Sequence, residues 1–249
     1  RNETFTESKS FNLYGSSITE SDDVLFNITL TEYQRANAIK SSATPGGDGL
    51  PNTLHIDFRA FHDIGLNPNF ETDSVVIVEL KDDILPEIKF TIINFSTGIM
   101  FLQFNETIRT ESEEFFNLSG LFISNFTGDK SLPLSGSNVV NHEDSTVVTV
   151  VLTDVQRVAA LLRSGTSVGG APGGDGVRTS LTINKNSFFD VAINGLLYVE
   201  NVLVVEHPDI IPPQLVKATL FYGTGLLVID FSEVIGEWTG GLISLSNTS

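Results

Sequence analysis

Apolar and polar residues alternate over several short stretches of this chain, the period expected of strands with one face buried. The alternation predicts strands at 88–94 and 99–106 around a Ser96-Thr97-Gly98 turn, and further strands at 115–124, 132–140, 146–152, 179–184 and 196–205. At Thr153-Asp154-Val155-Gln156 the pattern changes to that of a capping box, and Val155, Val158, Ala159 and Leu162 follow at helical spacing. Thr31-Glu32-Tyr33-Gln34 has the same form. One short helix is therefore predicted in each place, crossing between sheet edges.

The alternating segments recur. FSTGIMFLQFNETI at 95–108 returns as YGTGLLVIDFSEVI at 222–235, a shift of 127 positions. The same shift carries Pro45-Gly46-Gly47-Asp48-Gly49 onto Pro172-Gly173-Gly174-Asp175-Gly176, Phe61-His62-Asp63 onto Phe188-Phe189-Asp190, and Pro86 onto Pro213. On this reading residues 87–213 form a complete repeat, 1–86 the C-terminal part of another, and 214–249 the N-terminal part of a third, so the chain is expected to start and stop in mid-domain. Repeat units bury their cores as wholes or against neighbours, which makes complementary fragments a statement about assembly.

Composition narrows the class. The 249 residues make two domain equivalents of about 125 residues, near the commonest domain size. Abundant Val, Ile, Leu and Phe with only 18% charged residues describe a folded, all-β chain. The net charge of −17 comes without any Lys or Arg cluster, so nucleic acid and anionic lipid are not expected partners. Cysteine is absent, which removes disulfides, thiolate metal sites and a cysteine nucleophile. No stretch reaches the ~20 apolar residues of a membrane helix, and membrane insertion is not expected.

Seven positions fit the N-glycosylation pattern: Asn2, Asn27, Asn94, Asn105, Asn117, Asn125 and Asn247. Roughly three are expected by chance from the Asn, Ser and Thr content. Alternation puts Asn27 opposite Phe26 and Ile28, and Asn105 with Gln103 opposite Leu102 and Phe104, so a glycan there meets water. The expected setting is extracellular or cell-surface.

Catalytic patterns are not found, and an enzyme is not expected. His55, His62, His142 and His207 lack metal-ligand spacing, and no nucleophile elbow occurs. The Gly-Gly-Asp-Gly segments lack the Lys and Ser/Thr of a phosphate loop and read as tight turns with positive φ. Asp48 and Asp175 in those turns are the calcium candidates; no other cofactor is expected beyond N-linked glycans. Glu106 and Glu233 share a repeat position and read as outward or edge carboxylates, the alternative being a cation site with a nearby Asp.

The run from Pro212-Pro213-Gln214-Leu215 through Gly225-Leu226-Leu227-Val228-Ile229-Asp230-Phe231-Ser232-Glu233, with Phe61-His62-Asp63 and Asn67-Pro68 or Phe189-Asp190 and Asn194-Gly195, resembles tandem Ig-like β-sandwich repeats of bacterial and protist surface proteins. The glycosylated, cysteine-free form is similar to algal and protist fibril or hair (mastigoneme-like) proteins. The resemblance implies surface, adhesive or filament-building roles.

The Pro-containing joints at 81–86 and 207–213 are expected to be stiff, giving an elongated rod. Residues 214–249 contain the strands that 1–86 lacks, with Leu226, Val228, Phe231, Leu242, Ile243 and Leu245 as the expected assembly residues. Burying about ten apolar side chains at about 1.5–3 kcal/mol each is a gross gain of tens of kcal/mol. The complete unit stands between the fragments, and sandwich termini leave from opposite poles some ~40 Å apart, so closure is expected between identical subunits, tail into head, in a helical homopolymer. The alternative is a cell-surface adhesin or carbohydrate-binding Ig-like module, calcium-dependent or not, for which Trp238 is the only tryptophan available.

Overall fold

The computed structural model describes residues 10–19, 24–125, 131–141, 143–168, 171–236 and 240–246. In chain order these carry β1 (Ser17–Thr19), β2 (Asn27–Thr29), α1 (Glu32–Lys40), β3 (Thr53–Ile56), β4 (Thr72–Val76), β5 (Ile88–Asn94), β6 (Ile99–Ile108), β7 (Leu121–Asn125), β8 (Leu132–Pro133), β9 (Asn138–Val139) and β10 (Ser145–Val151). Then follow α2 (Asp154–Leu161), β11 (Ser167–Val168), β12 (Ala171–Pro172), β13 (Thr179–Ile183), β14 (Val199–His207), β15 (Leu215–Phe221) and β16 (Leu226–Phe231). The described residues are mostly β with two short α-helices, as the alternation and the capping boxes predict.

Eight strands between residues 88 and 207 hydrogen-bond into one sheet in the order β8-β7-β13-β14-β5-β6-β10-β9. Its outermost strands, β8 and β9, are separated along the chain only by residues 134–137, so the sheet has to curl back on itself. The curl encloses the core. Met100, Leu102 and Phe104 of β6, Ile93 of β5, Leu121 and Ile123 of β7, Val148 and Val150 of β10, and Leu181 and Ile183 of β13 are all buried. The Phe104 and Phe188 rings meet edge to face, with centroids 5.3 Å apart. One pairing in the sheet is parallel: β14 runs beside β5 from Val204↔Thr91 to His207↔Asn94.

Two predicted strands break where the chain must turn. The stretch 115–124 becomes two 3₁₀ turns, Glu113–Phe115 and Leu118–Gly120, before β7. The Asn117 side chain accepts from the Ser119 backbone N–H, and a Cβ at Gly120 would sit 2.1 Å from Ser187 Oγ. The stretch 132–140 splits into β8 and β9 around Gly136, whose φ of +90° a side chain disfavours.

Both helices form where the capping boxes stand, with Thr31 and Thr153 as N-caps and Gln34 and Gln156 three residues on. The buried face, however, is not the predicted apolar stripe. Val155 and Leu162 are exposed, whereas Gln156, Arg157 and Ala160 are buried. The reason is that each two-turn helix docks by polar contacts. Gln156 Nε2 donates to the carbonyls of Pro133 and Ser135 at 3.1 and 2.9 Å, and its Oε1 accepts from Ser137 Oγ at 2.8 Å. Gln34 does the same with Asn12, Tyr14 and Ser16.

Outside the large sheet, β1–β2, β3–β4, β11–β12 and β15–β16 each form a separate two-stranded ladder. The residues of β15 and β16 are mostly exposed, among them Leu215, Val216, Leu226 and Val228, and so are Phe26, Ile28, Val75, Val76 and Val78 around β2 and β4.

Gln156→Ala should lower the urea midpoint of the large-sheet unit by the equivalent of about 2–3 kcal/mol, because it strips partners from two carbonyls and the helix N-cap together. Equilibrium unfolding followed by circular dichroism checks this, and an unchanged midpoint would show that the amide clamp contributes nothing.

Candidate functional site

The polar chemistry of the molecule concentrates at two joints built alike. At the first, Arg35 of α1 projects onto the segment that leads from β4 to β5. Its Nε and Nη2 donate to Glu32 at 2.8 and 2.9 Å, its Nη1 to Asp82 Oδ2 at 2.5 Å, and its Nη2 also to Glu106 Oε2 of β6 at 2.9 Å. One guanidinium thus ties a helix, a linker and a strand of the large sheet. Arginine suits this role because its planar fork offers five donors and stays charged.

The second joint repeats the arrangement at the matching positions. Arg157 of α2 bonds Asp154 at 2.9 Å, Asp209 Oδ2 at 2.7 Å and, more loosely, Glu233 Oε2 at 3.4 Å just beyond β16. It also donates to the Phe95 carbonyl at 3.0 Å. The shift between Asp82 and Asp209, and between Glu106 and Glu233, is again 127.

Further contacts brace the joints. Lys40 pairs with Asp144 at 2.5 Å, and the Thr107 N–H donates to Glu32 at 2.7 Å. Asn194 Nδ2 donates to the Asp82 and Ile84 carbonyls at 3.3 and 3.2 Å. The glycine-rich loop rests on the same surface: a Cβ at Gly46 would lie 1.9 Å from the Val191 carbonyl oxygen, so only glycine permits the approach. At the second joint Ser96 Oγ donates to Pro208 O and accepts from Ile210 N.

Electrostatics at the first joint are unbalanced. Burial acts to raise Glu32, but hydrogen bonds from Arg35 and Thr107 prevail and lower its pKa. Burial and then the charge of Asp190 push Glu106 up to about 7, outweighing Arg35. Asp190 is also raised, by burial first, against hydrogen bonds from Asn194 that oppose it. Glu106 is 4% exposed and its Oε1 has no hydrogen-bond partner; Glu233 Oε1 is likewise buried without one.

This corrects the sequence reading of Glu106 as an outward carboxylate. Alternation placed Asn105 outside and Phe104 inside, and the same period turns Glu106 inward with Phe104. The alternation of β6 thus continues unbroken from Met100 through Glu106.

Asp48 and Asp175 work as turn formers. Asp48 Oδ1 accepts from Leu50 N at 2.9 Å, and Asp175 Oδ1 from Val177 N at 2.8 Å. Among the described residues, side chains grouped closely enough to share an ion occur elsewhere, at Asp82, Glu106 and Asp190, and at the exposed His55, Glu71 and Asp73.

Of the seven glycosylation positions, Asn2 and Asn247 lie outside the described residues. Asn27, Asn105 and Asn117 are exposed and Asn94 is half-buried. Asn125 is buried, and its Nδ2, the atom a glycan would occupy, donates to Asp175 at 2.5 Å. The Asn105 and Asn117 side-chain oxygens accept from Glu87 N and Ser119 N.

The assembly residues Leu226, Val228, Phe231, Leu242, Ile243 and Leu245 are all exposed. By the shift of 127, Phe231 matches buried Phe104, whereas Leu226 and Val228 match Ile99 and Phe101, which are half-buried and exposed. The positions that match fully buried Met100 and Leu102 are Leu227 and Ile229.

No protein-family model matches the chain, and no curated protein does. Two solved structures are similar in part: the N-terminal part of the bacterial S-layer protein SbsC, at 13% identity and a TM-score of 0.33, and domains 1–6 of SbsC, at 13% identity and 0.34. Each likeness covers 59% of this chain but only 31% and 18% of the SbsC chains.

Arg157→Ala should leave Asp209 and Glu233 facing each other without a cation, at a cost of about 3 kcal/mol. Amide exchange should then quicken across β15 and β16 while β13 keeps its protection. Arg157→Lys should recover less than half of the loss, since a point charge cannot bridge the same set; full recovery would show that only the net charge matters.

Proposed function

We propose that this protein is a structural, non-enzymatic building block of an extracellular N-glycosylated fibril, made of Ig-like repeats. Neighbouring copies complete one another by strand addition: β15 and β16 of one copy enter the open faces around β2 and β4 of the next.

The observation that carries this reading is the match between the separate ladders and the pairings inside the large sheet. There β5 lies parallel to β14, and β6 antiparallel to β10, with Leu102 opposite Val148 and Met100 opposite Val150. β15 and β16 carry the sequence of β5 and β6, and β4 that of β14, at the shift of 127, while β2 precedes α1 as β10 precedes α2, at the shift of 122 that also separates Thr31 from Thr153; β4 and β2 belong to other ladders. Carrying the register over places Ala218–Phe221 beside Ile77–Leu80, Leu227 opposite Ile28, and Ile229 opposite Phe26. Every side chain named in these last two pairs is apolar, and each falls on the phase that the large sheet buries. A two-stranded hairpin with bare apolar faces is marginal alone, so a complementary copy is its natural cover. Such a contact is heterologous and does not close, which builds filaments.

Charge fits the same role. At −17 the chain repels non-specific association, so growth depends on the matched strands. Exposed Asn27, Asn105 and Asn117 are where glycans would stand clear of the core.

The register is tested by placing cysteines at Asn27 and Val228, the counterparts of the paired Thr149 and Phe101. Mild oxidation should give a ladder of disulfide-linked oligomers that reduction collapses. Cysteines at Asn27 and Leu227 point to opposite faces and should give none. A linked monomer without a ladder would mean closure within one chain and defeat the filament. Mass measurement of the denatured, deglycosylated natural protein adds a second check: a value far above one 27.0 kDa chain would replace non-covalent growth by a continuous repeat array.

A further inference from the structure

Around Arg35 three carboxylates, Glu32, Asp82 and Glu106, meet a single guanidinium, and Asp190 lies beside two of them. In Asp82, Glu106 and Asp190, one ligand oxygen from each lies within 4.8 Å of the other two. They come from the linker, from β6 and from the loop after β13, so no local turn explains their meeting. Asp190 is fully buried and Glu106 nearly so.

Hydrogen bonds account for every oxygen of this trio but one. Asp82 Oδ1 accepts from Ile84 N and Oδ2 from Arg35. Asp190 Oδ1 accepts from the Asn194 backbone N–H and Oδ2 from Asn194 Nδ2. Glu106 Oε2 accepts from Arg35, and Glu106 Oε1 is buried with no partner at all. A carboxyl oxygen left bare inside a protein costs more than a hydrogen bond returns, and three crowded carboxyl groups repel one another whenever they ionise.

We propose that Asp82, Glu106 and Asp190 hold a calcium ion that locks the first joint. The donor set is all oxygen and anionic, which suits a hard divalent cation and gives no foothold to metals that prefer nitrogen or sulfur. Calcium takes about six to eight oxygens at irregular geometry, so three carboxylates with water complete its shell, and magnesium's strict octahedron fits the trio less well. The ion supplies the charge that Arg35 alone lacks and links the linker to two parts of the large-sheet unit. The orphan oxygen recurs at Glu233 of the second joint, where among the described residues no three carboxylates are grouped closely enough to share an ion. The first joint is therefore the complete site in a single chain, and its occupation does not depend on the fibril reading.

Calorimetric titration of the whole chain with CaCl2, after chelator treatment, tests the assignment. One calcium should bind per chain in about the 10⁻⁴–10⁻³ M range of extracellular calcium modules, and saturation should raise Tm by several degrees. Glu106→Gln should weaken binding at least about tenfold and abolish the Tm shift, while Asp73→Asn, in the exposed group, should change neither. Asp82→Asn, which keeps the turn bond to Ile84, is the second variant should Glu106→Gln fail to fold by circular dichroism. The assignment is overturned if millimolar calcium produces no heat and no Tm shift, if both joint variants bind like the unaltered chain, or if magnesium produces the same response at the same concentration. A chain that binds calcium but forms no cross-linked ladder would lose the filament and keep this site.

Discussion

A charged nitrogen fork, carried on a two-turn helix and inserted among carboxylates from separate segments, is the interaction on which the architecture depends. Without Arg35, α1 and its ladders would touch the large sheet mainly through Lys40, the Glu32 bond to Thr107, the Gly46 loop and the Asn194 contacts. Without Arg157, β15 and β16 would hang from a proline-containing linker. Ion pairs of this kind do not supply much net stability, because desolvation offsets attraction. What they supply is a defined orientation, since the guanidinium plane satisfies its partners in one arrangement only. Apolar contact between such small elements would leave the angle free.

The helices make sense in that light. A helix of eight or nine residues has too few turns to bury an apolar stripe, and its intrinsic stability in water is marginal. These helices are held at their first turn by the capping box, at the same residue by an amide clamp to a neighbouring turn, and one position later by the arginine. Thr, Gln and Arg occupy consecutive functional positions because each satisfies orphan backbone groups or charges that the short element exposes. The glycine loop then closes beneath the helix C-terminus: a Cβ at Gly47 or Gly174 would fall within about 2.1–2.3 Å of a carbonyl oxygen of Ser42 or Ser164.

Much of this was legible in the sequence, for reasons that can be named. Period-two alternation located β5, β6, β10 and β13 to within a residue or two, because each has one face against a dry core and the other in water. The capping boxes located both helices, since that motif depends on side chain to backbone bonds three residues apart and needs no tertiary information. What failed was the facing of α2. Val155, Val158 and Leu162 obey helical spacing, but an apolar stripe states only that a face can be buried, and here polar docking chose another. The ion-pair joints were hidden for a different reason: Arg35, Asp82 and Glu106 lie far apart in sequence, and no local rule connects them. Their one trace was the repetition of Arg, Asp and Glu at corresponding places in both halves, visible only once the pairs were seen in space.

The two kinds of surface left by this design act in different ways. The joints fix how one unit follows the next, because charge, glycine contact and proline together remove rotational freedom. The ladders at β2, β4, β15 and β16 leave apolar faces that match the paired faces inside the large sheet, and these ask for a cover. A rigid joint without open strands would yield an inert rod, and open strands on a loose joint would favour closed rings or swapped pairs of every geometry. With both together, each copy added to the proposed filament would inherit the same rotation and advance from the joint before it. A single recurring step of that kind generates a helix, so the angle set by Arg35 and Arg157 would fix the pitch of the proposed filament.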